Sequence, residues 1–243
     1  MTLGNEDCLY LNVWTPSLNS TAGLPVTLFG HSSGATAIYA LLASTLGRGL
    51  FHKAWVICGS PVMNKTAAEA DDYVRNALLP FGVVVAETAL KLYPENVQTP
   101  EFQLTSMVTD LRMTCGNEYL ALVMATSFTS PVFRYIAGYA TSIPTKAFGA
   151  TFPARYAFDG IDMFAYYKTM GLMIDNMTDA DRQWEVNVQQ EVMSFVLTGI
   201  PFTADWGMFP GRTAENTTVT AGYHTAECLF WLKNGFFSYS WIK

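Results

Sequence analysis

The sequence predicts an α/β fold with a mainly parallel sheet flanked by helices. Three observations carry that prediction. Short β-branched runs alternate with segments of helical period along the chain. The run Pro25–Phe29 (PVTLF) ends at Gly30 and passes straight into a helical pattern. Half of the 243 residues are hydrophobic and only 14% are charged, enough apolar material for a sizeable core and too much for a disordered chain.

The elements follow in order. Leu9–Trp14 (LYLNVW) reads as a strand, and Pro25–Phe29 as a buried one. Ala35–Leu46 places Ala37, Ile38, Leu41 and Leu42 at helical spacing. Ala54–Cys58 (AWVIC) is a second buried strand, closed by Gly59-Ser60-Pro61. Ala67–Pro80 and Thr114–Phe128 are helix candidates, and Pro131–Tyr139 (PVFRYIAGY) is a further strand. Ala180–Thr198 is a long amphipathic helix stopped by Gly199 and Pro201, and Ala221–Leu232 is a late helix. No repeat or low-complexity block interrupts this, so the chain reads as one domain over residues 1–243.

Charge and cysteine usage exclude several functions. Fourteen Lys and Arg against twenty Asp and Glu give a net charge of −6 with no basic stripe, which excludes a nucleic-acid footprint. Mean hydropathy is +0.18, yet no apolar run nears the roughly 18 residues of a spanning helix. The start, Met1-Thr-Leu-Gly-Asn-Glu-Asp7, has no basic n-region and no apolar h-region, so no export signal is expected. Cys8, Cys58, Cys115 and Cys228 are widely spaced without a CxxC pair, which argues against a zinc or thioredoxin-like site. Four Asn-x-Ser/Thr sequons, at Asn19, Asn64, Asn176 and Asn216, are glycosylation candidates and point to a secretory history, in tension with the missing leader.

The strongest local signal is Gly30-His31-Ser32-Ser33-Gly34. It fits G-x-S-x-G, with a strand before it and a helix after it. In a nucleophile elbow, Gly30 and Gly34 let backbone and neighbours approach closely. Ser32 Oγ projects over the sheet edge as the nucleophile, and the Ser33 N–H at the helix N-terminus faces a developing oxyanion. The plainer reading is a Gly/Ser-rich turn that caps a helix. His31 immediately precedes Ser32, and adjacent side chains on such a turn diverge, so it is assigned to packing and not to the role of base. His52, at a strand entry, reads as structural, and His224 as a surface residue.

These motifs give the chain a resemblance to the type-B carboxylesterase (cholinesterase-like) family of α/β hydrolases. Glu6–Pro16 (EDCLYLNVWTP) resembles one family signature, and Pro25–Ser44 resembles the serine active-site signature, with His31 where the family has Glu or Gln. Gly49–Ala54, Gly59–Pro61, Leu92–Pro94, Asp110–Cys115 and Cys228–Trp231 resemble later landmarks. The resemblance implies the α/β-hydrolase fold, hydrolysis of a small carboxylic ester through an acyl-enzyme on Ser32, no cofactor and no metal. It also implies a Cys115–Cys228 disulfide and a secretory, extracellular or membrane-associated setting.

The chain departs from the family in three places. Only Ser17–Leu24 stands where the family carries a long stretch with a glycine-rich oxyanion loop, so an internal deletion near 17–24 is expected. A second is expected near 65–72, where the family places its acidic triad member; Asp71 and Asp72 read as a solvated helix face instead. Phe152–Asp162 resembles the family's catalytic histidine loop, but Asp159 occupies the histidine position. An ordinary carboxylate is weakly driven to take the serine proton at neutral pH. In subtilisin, removal of the histidine alone costs about a million-fold in turnover. Losing one oxyanion donor costs on the order of a hundred- to a thousand-fold. The expectation is therefore weak or absent esterase activity. Two alternatives stay open: a non-catalytic cholinesterase-like binding or adhesion domain with a protein partner, and a truncated product without a function of its own.

Overall fold

The computed structural model describes residues 10–19, 21–60, 83–93, 99–146, 153–202, 206–209, 213–215, 218–220 and 222–234. Strand β1 (Thr27–His31) and strand β2 (Lys53–Ile57) pair in parallel, with Thr27 opposite Lys53 and His31 opposite Ile57. A parallel pair needs a crossover, supplied here by helix α1 (Ser33–Ala43) and a 3-10 turn at Thr45–Gly47. Helix α1 buries Ala35, Thr36 and Ile38 and packs on both strands. A second sheet has the order β3 (Tyr135–Ile136), β4 (Thr213–Glu215), β5 (Thr218–Thr220); its first pair is parallel and its second antiparallel.

Helix α2 spans Val83–Leu92. Helix α3 (Pro100–Thr109) starts on a Thr99 cap and runs through a π-helical turn at Asp110–Thr114 into α4 (Cys115–Ser127). Helix α5 spans Ile161–Tyr166. The long helix α6 (Asp179–Thr198) opens on a capping box between Thr178 and Asp181 and closes at Gly199, whose φ of +83° suits a residue without a Cβ. Helix α7 covers Thr225–Lys233.

Three apolar clusters hold these elements. Trp55, Ile57, Val192 and Trp206 join β2 to α6. Ile161, Ala165, Met170, Ile174 and Trp184 join α5 to α6. Ala89, Tyr93, Cys115, Cys228 and Trp231 bring α2, α4 and α7 together. The Cys115–Cys228 disulfide crosses this last cluster with Cα atoms 5.0 Å apart, in the pairing that the resemblance implied. Beside it, the 1%-exposed Asp110 accepts hydrogen bonds from Tyr93 Oη at 2.6 Å and His224 Nδ1 at 2.7 Å. Trp231 Nε1 donates to Tyr93 Oη at 2.9 Å.

The structure corrects several expectations. Residues 10–14 form no strand. Tyr10, Leu11, Val13 and Trp14 are 76–91% exposed, because no strand among the described residues supplies them a ladder. Only Tyr135–Ile136 of the expected Pro131–Tyr139 strand is paired. The late helix begins at Thr225, not Ala221, since His224 takes a left-handed φ of 52°. His224 is no free surface residue: the buried Asp110 carboxyl holds its ring. Among the described residues, the strands form a two-stranded and a three-stranded sheet where the sequence reading expected one. Cys8, the Ala67–Pro80 helix, the stretch 65–72 with Asp71 and Asp72, and the sequons at Asn64 and Asn216 lie outside the described residues.

Candidate active site

Strand β1 runs into Ser32, whose backbone sits at φ 53°, ψ −118°. A non-glycine residue at positive φ is strained, at a cost of about 1–3 kcal/mol. Neighbouring backbone groups fix it there. The Ser32 N–H donates to the Ile57 carbonyl at 2.9 Å, and the Ser32 carbonyl accepts from the Thr36 N–H at 3.0 Å. Ser32 occupies the N-cap position of α1, yet its side chain makes no capping hydrogen bond. Thr99 and Thr178, at the N-caps of α3 and α6, both make one. At Ser32 the turn carries strain without the side-chain capping bond. Ser32 and Ser33 are exposed, and the Ser33 N–H belongs to the first turn of α1, where helical N–H groups lack intrahelical partners.

The two motif glycines differ in role. A Cβ on Gly30 would lie 2.7 Å from the Gly34 backbone and from Ile38 Cδ1, so the turn closes onto α1 only with glycine there. A Cβ on Gly34 would meet nothing within 4 Å, which corrects the expectation of close approach at both positions.

Sheet register separates His31 from the serine. His31 pairs with Ile57, and Phe29, two residues earlier on the same face, stacks on Tyr166 with ring centroids 4.9 Å apart. His31 thus points toward the loop before α5, where its Nε2 lies 3.4 Å from Asp159 Oδ1. Asp159 is two-thirds exposed. Burial, then the charge of Asp159, pushes the Cys58 thiol well above its ordinary pKa. Cys58, just after β2, has φ 53°, matching Ser32 just after β1. Nearby, Asp162 accepts from Tyr135 Oη at 2.6 Å. Burial raises the Asp162 pKa against the opposing pull of that hydrogen bond.

The structure thus brings Asp159, His31 and Cys58 together beside the Gly30–Gly34 turn. No hydrogen bond among the described residues joins any of them to the Ser32 side chain. The other two of the chain's three histidines are held elsewhere: His52 Nδ1 accepts the Val26 N–H at 2.9 Å, as its structural reading expected, and His224 sits on Asp110. Among the described residues no group of His, Cys, Asp and Glu could hold a metal, and no helix is long and apolar enough to cross a membrane.

A cavity of about 230 Å³ lies between β2, β3 and α6, and Ser32 is not among its lining residues. Sequence reasoning missed it. Its walls come from distant segments, and only the aromatic content of AWVIC and PVFRYIAGY hinted at it.

No family model matches the chain, and no curated protein matches it. Solved structures do. One of a PNB esterase is 18% identical with a TM-score of 0.55, covering 84% of this chain and 61% of that one. Another PNB esterase structure is 16% identical with a TM-score of 0.50, covering 87% of this chain and 63% of that one. The chain shares their fold. Those esterases have the α/β-hydrolase fold, and the chain spans about three-fifths of their length. The small parallel sheet and its helical crossover carry the Gly30–Gly34 turn.

Proposed function

We propose that the chain is a carboxylic ester hydrolase of the type-B carboxylesterase kind, with Ser32 as nucleophile, the Ser33 N–H as one oxyanion donor, and weak turnover on small esters. The observation that carries this reading is the strained, uncapped backbone of Ser32 at a strand-to-helix turn. Such a turn presents a serine hydroxyl for attack on a carbonyl carbon, giving an acyl-enzyme that water then hydrolyses. Turnover is weak because His31 lies on the sheet face with Asp159, and His52 and His224 have other partners. With no positioned base, the Ser32 proton passes to water. The secretory or membrane-associated setting and the internal deletions near 17–24 and 65–72 belong to the same proposal.

A second reading, a non-catalytic binding domain on this fold, is favoured by one observation: Asp159, at the expected histidine position, is paired with His31. A fluorophosphonate probe with peptide mapping separates the two. Slow labelling confined to Ser32, with ester turnover lost in Ser32→Ala, fits the hydrolase. No labelling by a cooperatively folded protein fits the binding domain. Insoluble protein without a cooperative transition fits a truncated product. Brisk labelling with fast turnover would overturn the claim of weak activity.

A further inference from the structure

We infer that the cavity between β2, β3 and α6 is a binding site for a small uncharged aromatic molecule of one or two fused rings, independent of the esterase reading. Size is the first argument. Protein interiors leave few voids larger than a water molecule. A dry apolar cavity of about 150 Å³ takes up benzene. This one, at about 230 Å³, has room for a second fused ring.

The lining is the second argument. Trp55, Ile57, Val192 and Trp206 form a floor that is at most 7% exposed. Trp55, Tyr135 and Trp206 surround one another with centroids 5.5–6.3 Å apart and planes at 36–82°. They present both faces and edges to a guest ring, the arrangement that aromatic pairs favour.

The polar atoms decide the ligand's charge. Asp162 accepts from Tyr135 Oη and the Met163 N–H, and Glu191 accepts from the Phe202 N–H at 2.6 Å. The lining holds these two carboxyl groups and no Lys, Arg or His, so an anionic guest would lose its hydration and gain no matched partner. Exposed Gln190 and Phe202 among the lining residues mark the way in from solvent.

The test uses the full chain with labelled Ile and Val methyl groups, titrated with naphthalene and with 2-naphthoate. Naphthalene is expected to shift the methyl signals of Ile57, Val188 and Val192 saturably and to show NOEs to them. 2-Naphthoate is expected to bind at least tenfold more weakly, and Val188→Phe, which fills the cavity, to weaken naphthalene at least tenfold. Absent binding, perturbation centred on methyls outside the cavity, equal binding of the two probes, or unchanged binding in Val188→Phe would each overturn the inference. If that variant fails to fold, the wild-type methyl map and the comparison of the two probes decide.

Discussion

His31 Nε2 and Asp159 Oδ1 stand 3.4 Å apart beside a serine that no described hydrogen bond connects to either. An imidazole and a carboxylate are both present, but the register of a parallel strand turns the imidazole onto the sheet face. A general base must reach within about 3 Å of the proton it takes. Of the two, the Asp159 carboxylate also acts on the neighbouring Cys58 thiol, second to burial.

Cys58 reads that effect directly. Burial is the larger cause of its raised pKa and Asp159 the next. In Asp159→Asn the thiol pKa falls while burial remains. Iodoacetamide alkylation of Cys58 at pH 9, followed by peptide mapping that separates it from Cys8, is expected to quicken by up to about tenfold, the change that one pKa unit makes in thiolate. An unchanged rate would show that the carboxylate does not act on the thiol.

The two motif glycines are expected to respond in opposite directions. Gly30→Ala puts a Cβ 2.7 Å from Ile38 Cδ1 and the Gly34 backbone, and is expected to cost about 1–3 kcal/mol. Gly34→Ala enters open space within α1 and is expected to gain about 0.5–1 kcal/mol. Urea denaturation of both variants checks the signs.

The disulfide closes a sequence separation of 113 residues. Chain-entropy arithmetic for such a loop gives about 4–5 kcal/mol, within a usual loss of about 2–5 on removal. Reduction, or Cys115→Ser with Cys228→Ser, is expected to lower the urea midpoint accordingly.

Asp181 sets an acid limit. It is fully buried and accepts from Tyr139 Oη and from the backbone N–H and hydroxyl groups of Ser142 and Thr178. Burial pushes its pKa up, but these hydrogen bonds outweigh it and hold the carboxyl well below the usual carboxylate range. A depressed folded pKa means stability fully present above the unfolded value of about 3.9 and lost as pH falls toward the folded one. Asp181→Asn is expected to cost about 3 kcal/mol at pH 7 and to flatten this part of the acid unfolding curve.

Two sequons lie on described surface, at Asn19 and Asn176, and both asparagines are exposed. Expressed behind a leader in a eukaryotic secretory host, the chain is expected to carry glycans at both. The check is a mass shift on enzymatic deglycosylation, with Asn→Gln at each position as the control.

The sequence by itself determined the local events. PVTLF followed by Gly-His-Ser-Ser-Gly set a strand, a turn and a helix, because β-branched residues, glycines and helical spacing act over a few residues. The helix after Thr178 and its stop at Gly199 were legible for the same reason. The Cys115–Cys228 pairing came from the resemblance. Only the tertiary structure decided the rest. Residues 10–14 are strand-like in type but form no strand, because a strand needs a neighbour to complete its hydrogen bonds. His224 met Asp110 from 114 residues away, and His31 turned to Asp159 through sheet register. The cavity needed Trp55, Tyr135 and Trp206 from three separate segments. These outcomes depend on which surfaces the packed elements present to one another, and no window of local sequence holds that information.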